Sequence, residues 1–289
     1  MKLKYKHQRF QADAAKSVTD IFIGQQYCDS ADFLIDQGIQ KNMYAVTGFG
    51  NQRLMLDKEV LTENLRQIQM GWGLKPVDYL QGDITNPMFT IEMETGTGKT
   101  YTYIKTMYEL NKRYGWNKFI IVVPSIAIRE GVQKSFETMQ EHFATEYGKR
   151  IQFFVYNSKQ LSKIDSFASD SGLHVMIINT QAFNSSMNED KNMEGRSGDA
   201  AARIIFSKRD EFGSRRPIDI LAQTNPIMII DEPQSVLGAN KANATRKGIA
   251  KFHPLFTLLY SATHRKDDVY NMVYRLDAMD AYNRKLVKK

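Results

Sequence analysis

A glycine-rich loop between an apolar run and a helical pattern constrains this chain more than any other feature. The loop reads Met93-Glu94-Thr95-Gly96-Thr97-Gly98-Lys99-Thr100. Residues 88–91 before it indicate a strand, and residues 103–110 after it have helical spacing. Gly96 and Gly98 can adopt dihedral angles that turn successive backbone N–H groups toward one point. The helix start adds unpaired N–H groups and the positive end of its dipole. This pattern predicts a phosphate-binding loop.

The side chains of the loop suit a nucleoside triphosphate with its magnesium ion. Lys99 would reach the β- and γ-phosphates, and the Thr100 hydroxyl would hold Mg²⁺. Met93 departs from the general pattern, which has Gly at that position. The sequence therefore predicts bound ATP and Mg²⁺, with these further loop residues in contact with phosphate: Thr95, Gly96, Thr97 and Gly98.

Composition limits the class of protein and its surroundings. The 289 residues are 42% hydrophobic and 25% charged, which is typical of a globular protein. The formal charge of 39 − 32 = +7 favours a polyanionic partner without establishing one. Cys28 is the only cysteine, which excludes an internal disulfide and a cysteine-based zinc site. Without a signal sequence or an apolar stretch long enough to span a membrane, we expect a soluble, cytoplasmic protein.

Apolar runs alternate with helical patterns after the loop, which predicts an α/β fold. Strands separated by helices imply a mainly parallel β-sheet flanked by helices, in a three-layer αβα arrangement. Most of these runs end in small or polar residues, at the edge where such sheets bind ligands. Expected strands lie at residues 88–91, 118–123, 151–156, 175–178, 226–230 and 255–260, and only one helix-like stretch is expected after them.

The N-terminal part contains a candidate adenine-binding residue. Residues 9–23 have helical spacing, and Gln11 near their start could both donate to and accept from the adenine edge. The alternative is a solvated glutamine at a helix start.

The sequence predicts two regions. We divide the chain into an adenine-recognition helix with an accessory segment (1–87) and an ATPase lobe (88–289). An exposed insertion is expected at about 185–223, where charged and turn-forming residues are frequent.

Two adjacent carboxylates provide the candidate hydrolytic chemistry. Asp231 and Glu232 directly follow the apolar run 226–230. Asp231 would hold Mg²⁺, and Glu232 would orient and deprotonate the attacking water. Gln234 belongs to the same segment and is a further catalytic candidate. Glu92 and Glu94 are alternatives for the carboxylate role, although they would repel phosphate if they turned inward.

A second polar segment follows the run 255–260. The Ser261 and Thr263 hydroxyls are expected to hydrogen-bond the Asp231–Glu232 segment and to report the state of the γ-phosphate. A structural turn is the alternative for this segment. No histidine is placed to complete a serine-protease triad with Ser261.

The segments 93–100, 231–234 and 261–263 resemble motifs I, II and III of superfamily 2 helicases. Their amino-acid sequences resemble those of the Res (restriction) subunit of type III restriction–modification enzymes. Residues 124–132, 229–234 and 280–288 also agree with that subfamily. Gln11 matches the adenine-reading glutamine of the family. The resemblance is loose only between residues 24 and 87, and the subfamily tolerates a bulky residue at Met93.

The resemblance implies a motor of two RecA-like lobes, with ATP at their interface and DNA across their top. Only the first lobe is expected here, without the second lobe, its arginine finger or the nuclease domain. The chain would then bind ATP·Mg²⁺, hydrolyse it very slowly and cut no DNA. Implied partners are double-stranded DNA and the methyltransferase (Mod) subunit. Implied DNA-backbone contacts are Pro124, Ser125, Asn179, Thr180 and Gln181.

Two alternative functions remain open from the sequence. Another superfamily 2 DNA or RNA helicase would share every ATP-binding residue. Only the resemblance of the motif sequences to the restriction subfamily distinguishes the two functions. A phosphate-loop kinase or a non-catalytic ATP-binding module belongs to a different class. A kinase would need an acceptor pocket and a lid, and neither is evident in the sequence.

Overall fold

The computed structural model describes residues 5–36, 47–184, 204–208, 210, 214–238, 244–265 and 269–287. The strands are β1 (Leu34–Asp36), β2 (Thr47–Phe49), β3 (Met88–Met93), β4 (Lys118–Val123), β5 (Gln152–Val155), β6 (His174–Asn179), β7 (Ile227–Asp231), β8 (Thr257–Ser261) and β9 (Met272–Leu276). The helices are α1 (Arg9–Asp20), α2 (Lys58–Gly71), α3 (Lys99–Tyr114), α4 (Ile126–Tyr147), α5 (Ser162–Ser169), α6 (Gln181–Asn184), α7 (Pro217–Gln223), α8 (Pro233–Val236), α9 (Ala244–Ala250) and α10 (Ala278–Asn283).

A seven-stranded sheet in the order β5-β6-β4-β7-β8-β3-β9 forms the centre of the fold. Each of its strand pairings is parallel. Every residue of β4, β6, β7 and β8 is buried, as expected for continuous apolar strands covered on both faces. The predicted α/β fold class with a mainly parallel sheet is therefore confirmed. β1 and β2 form a separate antiparallel pair.

Two apolar cores lie on opposite faces of the sheet. Along β4, Phe119 and Ile121 belong to one core, whereas Ile120 and Val122 belong to the other. This alternation follows from the period of two along a strand. The first core includes buried residues of α1, α3 and α4, and the second includes those of α5, α7 and α9. These layers confirm the three-layer αβα arrangement.

The strand β9 corrects the expectation that no strand follows residues 255–260. Its residues join the edge of the sheet beside β3. Arg275 on β9 is half exposed, and its Nε lies 3.0 Å from Glu92 Oε1. β9 has five residues, one of which is the exposed Arg275. Such a short run does not allow periodicity alone to distinguish a strand from a helix. The neighbouring strand β3 decides the conformation of this segment.

The predicted exposed insertion 185–223 is only partly described, because residues 185–203, 209 and 211–213 lie outside the described ranges. Its last part is not exposed: Ile218, Ile220 and Leu221 of α7 are buried in the second core. The expectation is therefore wrong for α7. Pro217 begins this helix, where a missing N–H costs nothing, and the apolar residues then close over the sheet.

The N-terminal segment shares the first core with the sheet. Phe10, Val18 and Phe22, in and just after α1, are buried, and the Phe22 ring lies 4.4 Å from that of Phe256. Asn51 joins this segment to the base of the sheet, because its Nδ2 donates to the backbone oxygen of Lys118 at 2.9 Å. The division at residue 87 stays a proposal.

No helix in the described part of the chain has the length and apolar character needed to cross a bilayer.

Candidate nucleotide-binding site

The carboxyl ends of three neighbouring strands bring the predicted motifs together. β8 lies between β3 and β7, with Glu92 opposite Ser261 and Asp231 opposite Tyr260 in the register. The glycine loop leaves β3 at this edge, and α8 begins just after Glu232. Parallel strands present their carboxyl ends on one side of a sheet, so that segments far apart in sequence meet here.

The glycine loop has the backbone conformation that its sequence predicts. Gly96 and Gly98 have φ values of 82° and 89°, a region that favours glycine. Gly98 is the N-cap of α3, and Lys99 is the first residue of that helix. The loop therefore presents the helix start, with its free N–H groups, to the solvent side of the sheet edge.

Gln11 is attached to this loop. Its side chain is buried, and Nε2 donates to the Thr97 backbone oxygen at 2.9 Å. A Cβ at Gly98 would lie 2.5 Å from the same Nε2, so glycine allows the close approach. The solvated alternative for Gln11 is therefore wrong, whereas its contact with adenine stays a prediction.

Lys99 and Glu232 form an ion pair across the site. Lys99 Nζ lies 3.0 Å from Glu232 Oε1, and both side chains are mostly buried. Glu232 has a φ of 54°, a left-handed conformation unusual for a non-glycine residue and frequent at functional positions. The backbone at Glu232 thus turns its carboxylate toward the phosphate loop.

The second oxygen of Glu232 accepts hydrogen bonds from two partners. Ser261 Oγ lies 2.7 Å from Glu232 Oε2, and Gln234 Nε2 lies 2.6 Å from the same oxygen. Burial raises the pKa of Glu232, but these hydrogen bonds and Lys99 outweigh burial and bring the pKa below its usual value. Glu232 is therefore ionised at neutral pH and able to accept a proton.

Ser261 connects Glu232 with Gln234. Its Oγ also lies 2.9 Å from Gln234 Oε1, and its one hydroxyl proton can serve only one of the two acceptors. The expected hydrogen bond between Ser261 and the acidic segment is thus present. Thr263 is exposed and contacts Ser261 through its backbone N–H, which donates to Ser261 Oγ at 3.3 Å.

Asp231 is buried beside Glu232. Burial, together with the negative charge of Glu232, raises the pKa of Asp231 to about 6. The Tyr103 hydroxyl lies 3.5 Å from Asp231 Oδ2. A divalent cation held by Thr100 and Asp231 would supply the positive charge that the buried carboxylate needs. The residues present therefore fit Mg²⁺.

Tyr103 lies outside the sequence motifs, although the helical period places it near Lys99. Tyr103 lies four residues after Lys99 on α3, and residues four apart share a helix face. Glu92 and Glu94 have other partners: Glu92 pairs with Arg275, and Glu94 Oε1 accepts from the Thr95 N–H at 2.7 Å. These contacts favour Asp231 and Glu232 for the carboxylate roles.

The raised pKa of Asp231 predicts that Mg²⁺ binding is pH-dependent. A proton and the metal compete for the same carboxylate, so affinity should fall as the pH drops through about 6. Below that value the loss approaches about tenfold per pH unit, the limit for one titrating group. Titrations of Mg²⁺ at fixed ATP, from pH 8 to pH 5, would measure it. Asp231→Asn should bind more weakly and show only the titration of ATP itself; identical profiles for both proteins would contradict the prediction.

The predicted nucleic-acid residues lie at the ends of β4 and β6. Ser125 Oγ accepts from the Ile128 N–H and so caps α4, and Thr180 Oγ1 donates to the Pro124 backbone oxygen at 3.4 Å. Asn179 and Thr180 are buried, whereas Gln181 is exposed. The structure therefore brings these residues together, with Asn179 and Thr180 holding the two loop ends in place.

A polar cavity of about 570 Å³ adjoins this group of residues. Asn179 and Gln181 line it together with two cations that sequence reasoning had not assigned, Arg129 and Lys163. Arg129 Nη1 donates to Asn179 Oδ1 at 3.3 Å. Arg129 lies one helical turn after the Ser125 cap, and that spacing places both at the same end of α4.

Comparisons with known proteins identify the family of the chain. The family described as "Type III restriction enzyme, res subunit" matches residues 57–266. The EcoPI Res subunit of Escherichia phage P1 is 32% identical over 250 residues, which are 82% of this chain and 24% of that protein. The EcoP15I Res subunit of Escherichia coli is 32% identical over 261 residues, which are 84% of this chain and 25% of that protein.

Among solved structures, the Sulfolobus solfataricus SWI2/SNF2 ATPase core in complex with dsDNA is similar, with a TM-score of 0.40 and 13% identity. It covers 63% of this chain and 30% of that one, and the score is too low to add to the fold evidence of the sheet itself. The chain spans about a quarter of the length of the curated relatives that it matches. With a family match over most of its residues and a phosphate loop facing an Asp-Glu pair, the chain belongs to the Res subunit family of type III restriction enzymes.

Proposed function

We propose that this chain is the ATP-binding motor lobe of a DNA-dependent ATPase or translocase subunit of a type III restriction endonuclease. The observation that carries the proposal is the ion pair between Lys99 and Glu232, beside the buried Asp231. A phosphate-loop lysine and a pair of acids at one point are the arrangement that phosphoryl transfer from a nucleoside triphosphate requires.

Each residue then has a defined role in hydrolysis. Lys99 and the loop N–H groups would bind the β- and γ-phosphates, and Thr100 and Asp231 would hold Mg²⁺. Glu232 is ionised and would accept a proton from the attacking water. Mg²⁺ would neutralise charge on the phosphates. Tyr103 is a positioning residue, because its hydroxyl lies 3.5 Å from Asp231 Oδ2 and orients that carboxylate.

Four further residues would adapt the site to its nucleotide. Ser261 and Gln234 contact Glu232 and so respond to the state of the γ-phosphate. Thr263 is exposed and donates its N–H to Ser261 Oγ, so a movement of Ser261 would change the position of Thr263 at the surface. Gln11 would read the adenine edge while its Nε2 remains on the phosphate loop.

DNA binding is proposed for the ends of β4 and β6. Pro124, Ser125 and residues 179–181 would contact the DNA backbone; the N–H and hydroxyl groups of the residues other than Pro124 would donate hydrogen bonds, and such contacts read no sequence. The net charge of +7 supports a polyanionic partner. We propose double-stranded DNA and a methyltransferase (Mod) subunit as partners, translocation coupled to cleavage by a nuclease domain of the whole enzyme, and a cytoplasmic location.

The test of this proposal is ATP hydrolysis with and without nucleic acid. We expect double-stranded DNA to stimulate hydrolysis several-fold and the Mod subunit to co-purify with the protein. Without DNA, the 289 residues should bind ATP·Mg²⁺ and hydrolyse it slowly; an arginine finger, where one is supplied, contributes about 10³- to 10⁵-fold in such enzymes.

Other outcomes would favour the alternatives. Stimulation by RNA alone, without Mod binding, would indicate a different superfamily 2 helicase. ATP consumption that ignores DNA and phosphorylates a small molecule would indicate a kinase. ATP binding without hydrolysis under any of these conditions would indicate a non-catalytic module. Each of these three results would overturn the proposed function.

A further inference from the structure

Two histidines and a glutamate meet outside the nucleotide site, where the segment before α1 crosses α4. His7 Nδ1 lies 3.9 Å from Glu146 Oε2, and His142 Nε2 lies 3.8 Å from the same oxygen. The three ligand atoms all lie within 4.8 Å of one another. Imidazole nitrogens and a carboxylate oxygen are ligands that Zn²⁺ and related divalent transition metals prefer.

The local structure explains why these side chains converge. His142 and Glu146 are four residues apart on α4 and therefore share one helix face. His7 lies two residues before α1, and its ring centroid is 5.4 Å from that of His142. The His142 ring also packs against Tyr5 and Tyr101, at 5.3 and 5.6 Å between centroids. Aromatic contacts thus hold the central ligand in place.

Neighbouring side chains leave one oxygen of Glu146 to the cluster. Lys105 Nζ lies 2.5 Å from Glu146 Oε1, so that Oε2 is left to face the two histidines. The Tyr101 hydroxyl lies 2.9 Å from His142 Nε2 and has to turn away from that nitrogen when the nitrogen binds a metal.

The spacing is close to that of a metal centre. Four ligands at about 2.0–2.1 Å from Zn²⁺ lie roughly 3.3 Å apart in a tetrahedron. Both histidine nitrogens are therefore about half an ångström too far from Glu146 Oε2. The His7 side chain is 67% exposed, so it can move inward at little cost.

We propose that His7, His142 and Glu146 form a three-ligand site for a divalent transition metal of the Zn²⁺ class, with water as the fourth ligand. The site is distinct from the proposed magnesium position, which offers only oxygen ligands from Thr100 and Asp231. It ties the segment before α1 to α4 and to Tyr101, two residues after Lys99. A bound metal therefore fixes the position of the segment that leads into α1, the helix that contains Gln11.

The experiment is a titration with Zn²⁺ in competition with a chromophoric chelator, in excess Mg²⁺ to occupy oxygen-only sites. We expect saturable binding of one Zn²⁺ per chain. His7→Gln and His142→Gln should each weaken binding by at least about tenfold, since each removes one of three protein ligands. With Co²⁺ as the probe, the visible absorption typical of tetrahedral coordination should appear and should be lost in both variants.

Two control variants make the outcome decisive. His253→Asn changes an exposed histidine outside the cluster to a residue that tolerates its φ of 47°, and should leave Zn²⁺ binding unchanged. Asp231→Asn should also leave it unchanged. Absence of saturable binding, full affinity in His7→Gln, or loss of binding in Asp231→Asn would each overturn the proposal. Because His7 is exposed, its variant tests the site even if His142→Gln does not fold.

Discussion

Replacement of Lys99 by alanine is expected to abolish ATP binding at concentrations that saturate the parent protein. Lys99 Nζ, now 3.0 Å from Glu232, is the cation that the described structure places at the site, and it would bond two phosphates. A hydrogen bond to a charged group contributes about 1.5–3 kcal/mol, so the loss of two should weaken binding by on the order of 10² to 10⁴. Equilibrium binding of a fluorescent ATP analogue would measure the change.

Lys112→Ala is the matched control for this substitution. Lys112 lies on the same helix, α3, and is exposed. Its loss should leave nucleotide affinity within about twofold of the parent, because exposed charges contribute little. If Lys99→Ala retained parental affinity, the assignment of the glycine loop to phosphate binding would be wrong.

Replacement of Glu232 by glutamine should separate nucleotide binding from hydrolysis. The amide keeps the shape of the side chain but cannot accept a proton from water. Hydrolysis should therefore slow by about 10²- to 10⁴-fold, the usual contribution of a general base. ATP affinity should change little or rise, because Lys99 is released from its ion pair with Glu232. Single-turnover hydrolysis and equilibrium binding, measured on the same preparation with DNA present, would distinguish the two effects.

Two comparison variants define the result for Glu232. Glu130→Gln, at an exposed position of α4, should hydrolyse ATP at the parental rate. Glu94→Gln tests the alternative carboxylate, whose Oε1 accepts from the Thr95 N–H. If Glu94→Gln stopped hydrolysis while Glu232→Gln did not, the general base would have to be reassigned to Glu94.

Contiguous motifs made much of the fold and the site predictable. The glycine loop, the Asp231–Glu232 pair and the continuous apolar strands each contain their signal within a few residues. Asp57 is a similarly local feature, because its side chain caps α2 by accepting from the Val60 N–H three residues further along the chain. Local patterns of this kind do not depend on the rest of the chain.

Features that depend on a distant partner were not predictable. Residues 272–276 form the strand β9 because they pair with the edge of β3. The helix α7 is buried because its apolar residues pack into the second core. Tyr103 gains its role only when β7 brings Asp231 toward α3. The attachment of Gln11 to Thr97 likewise joins residues that are 86 positions apart. Tertiary contacts, which no window of sequence contains, determine each of these.

The ion pair between Lys99 and Glu232 has a consequence for the order of events in a catalytic cycle. In the proposed reaction, a triphosphate would compete with Glu232 for Lys99, so that nucleotide binding would also release the carboxylate to accept a proton. Loss of the terminal phosphate would leave fewer oxygens around Lys99, and Glu232 would then compete for the lysine again. The ion pair would therefore favour release of the diphosphate after hydrolysis.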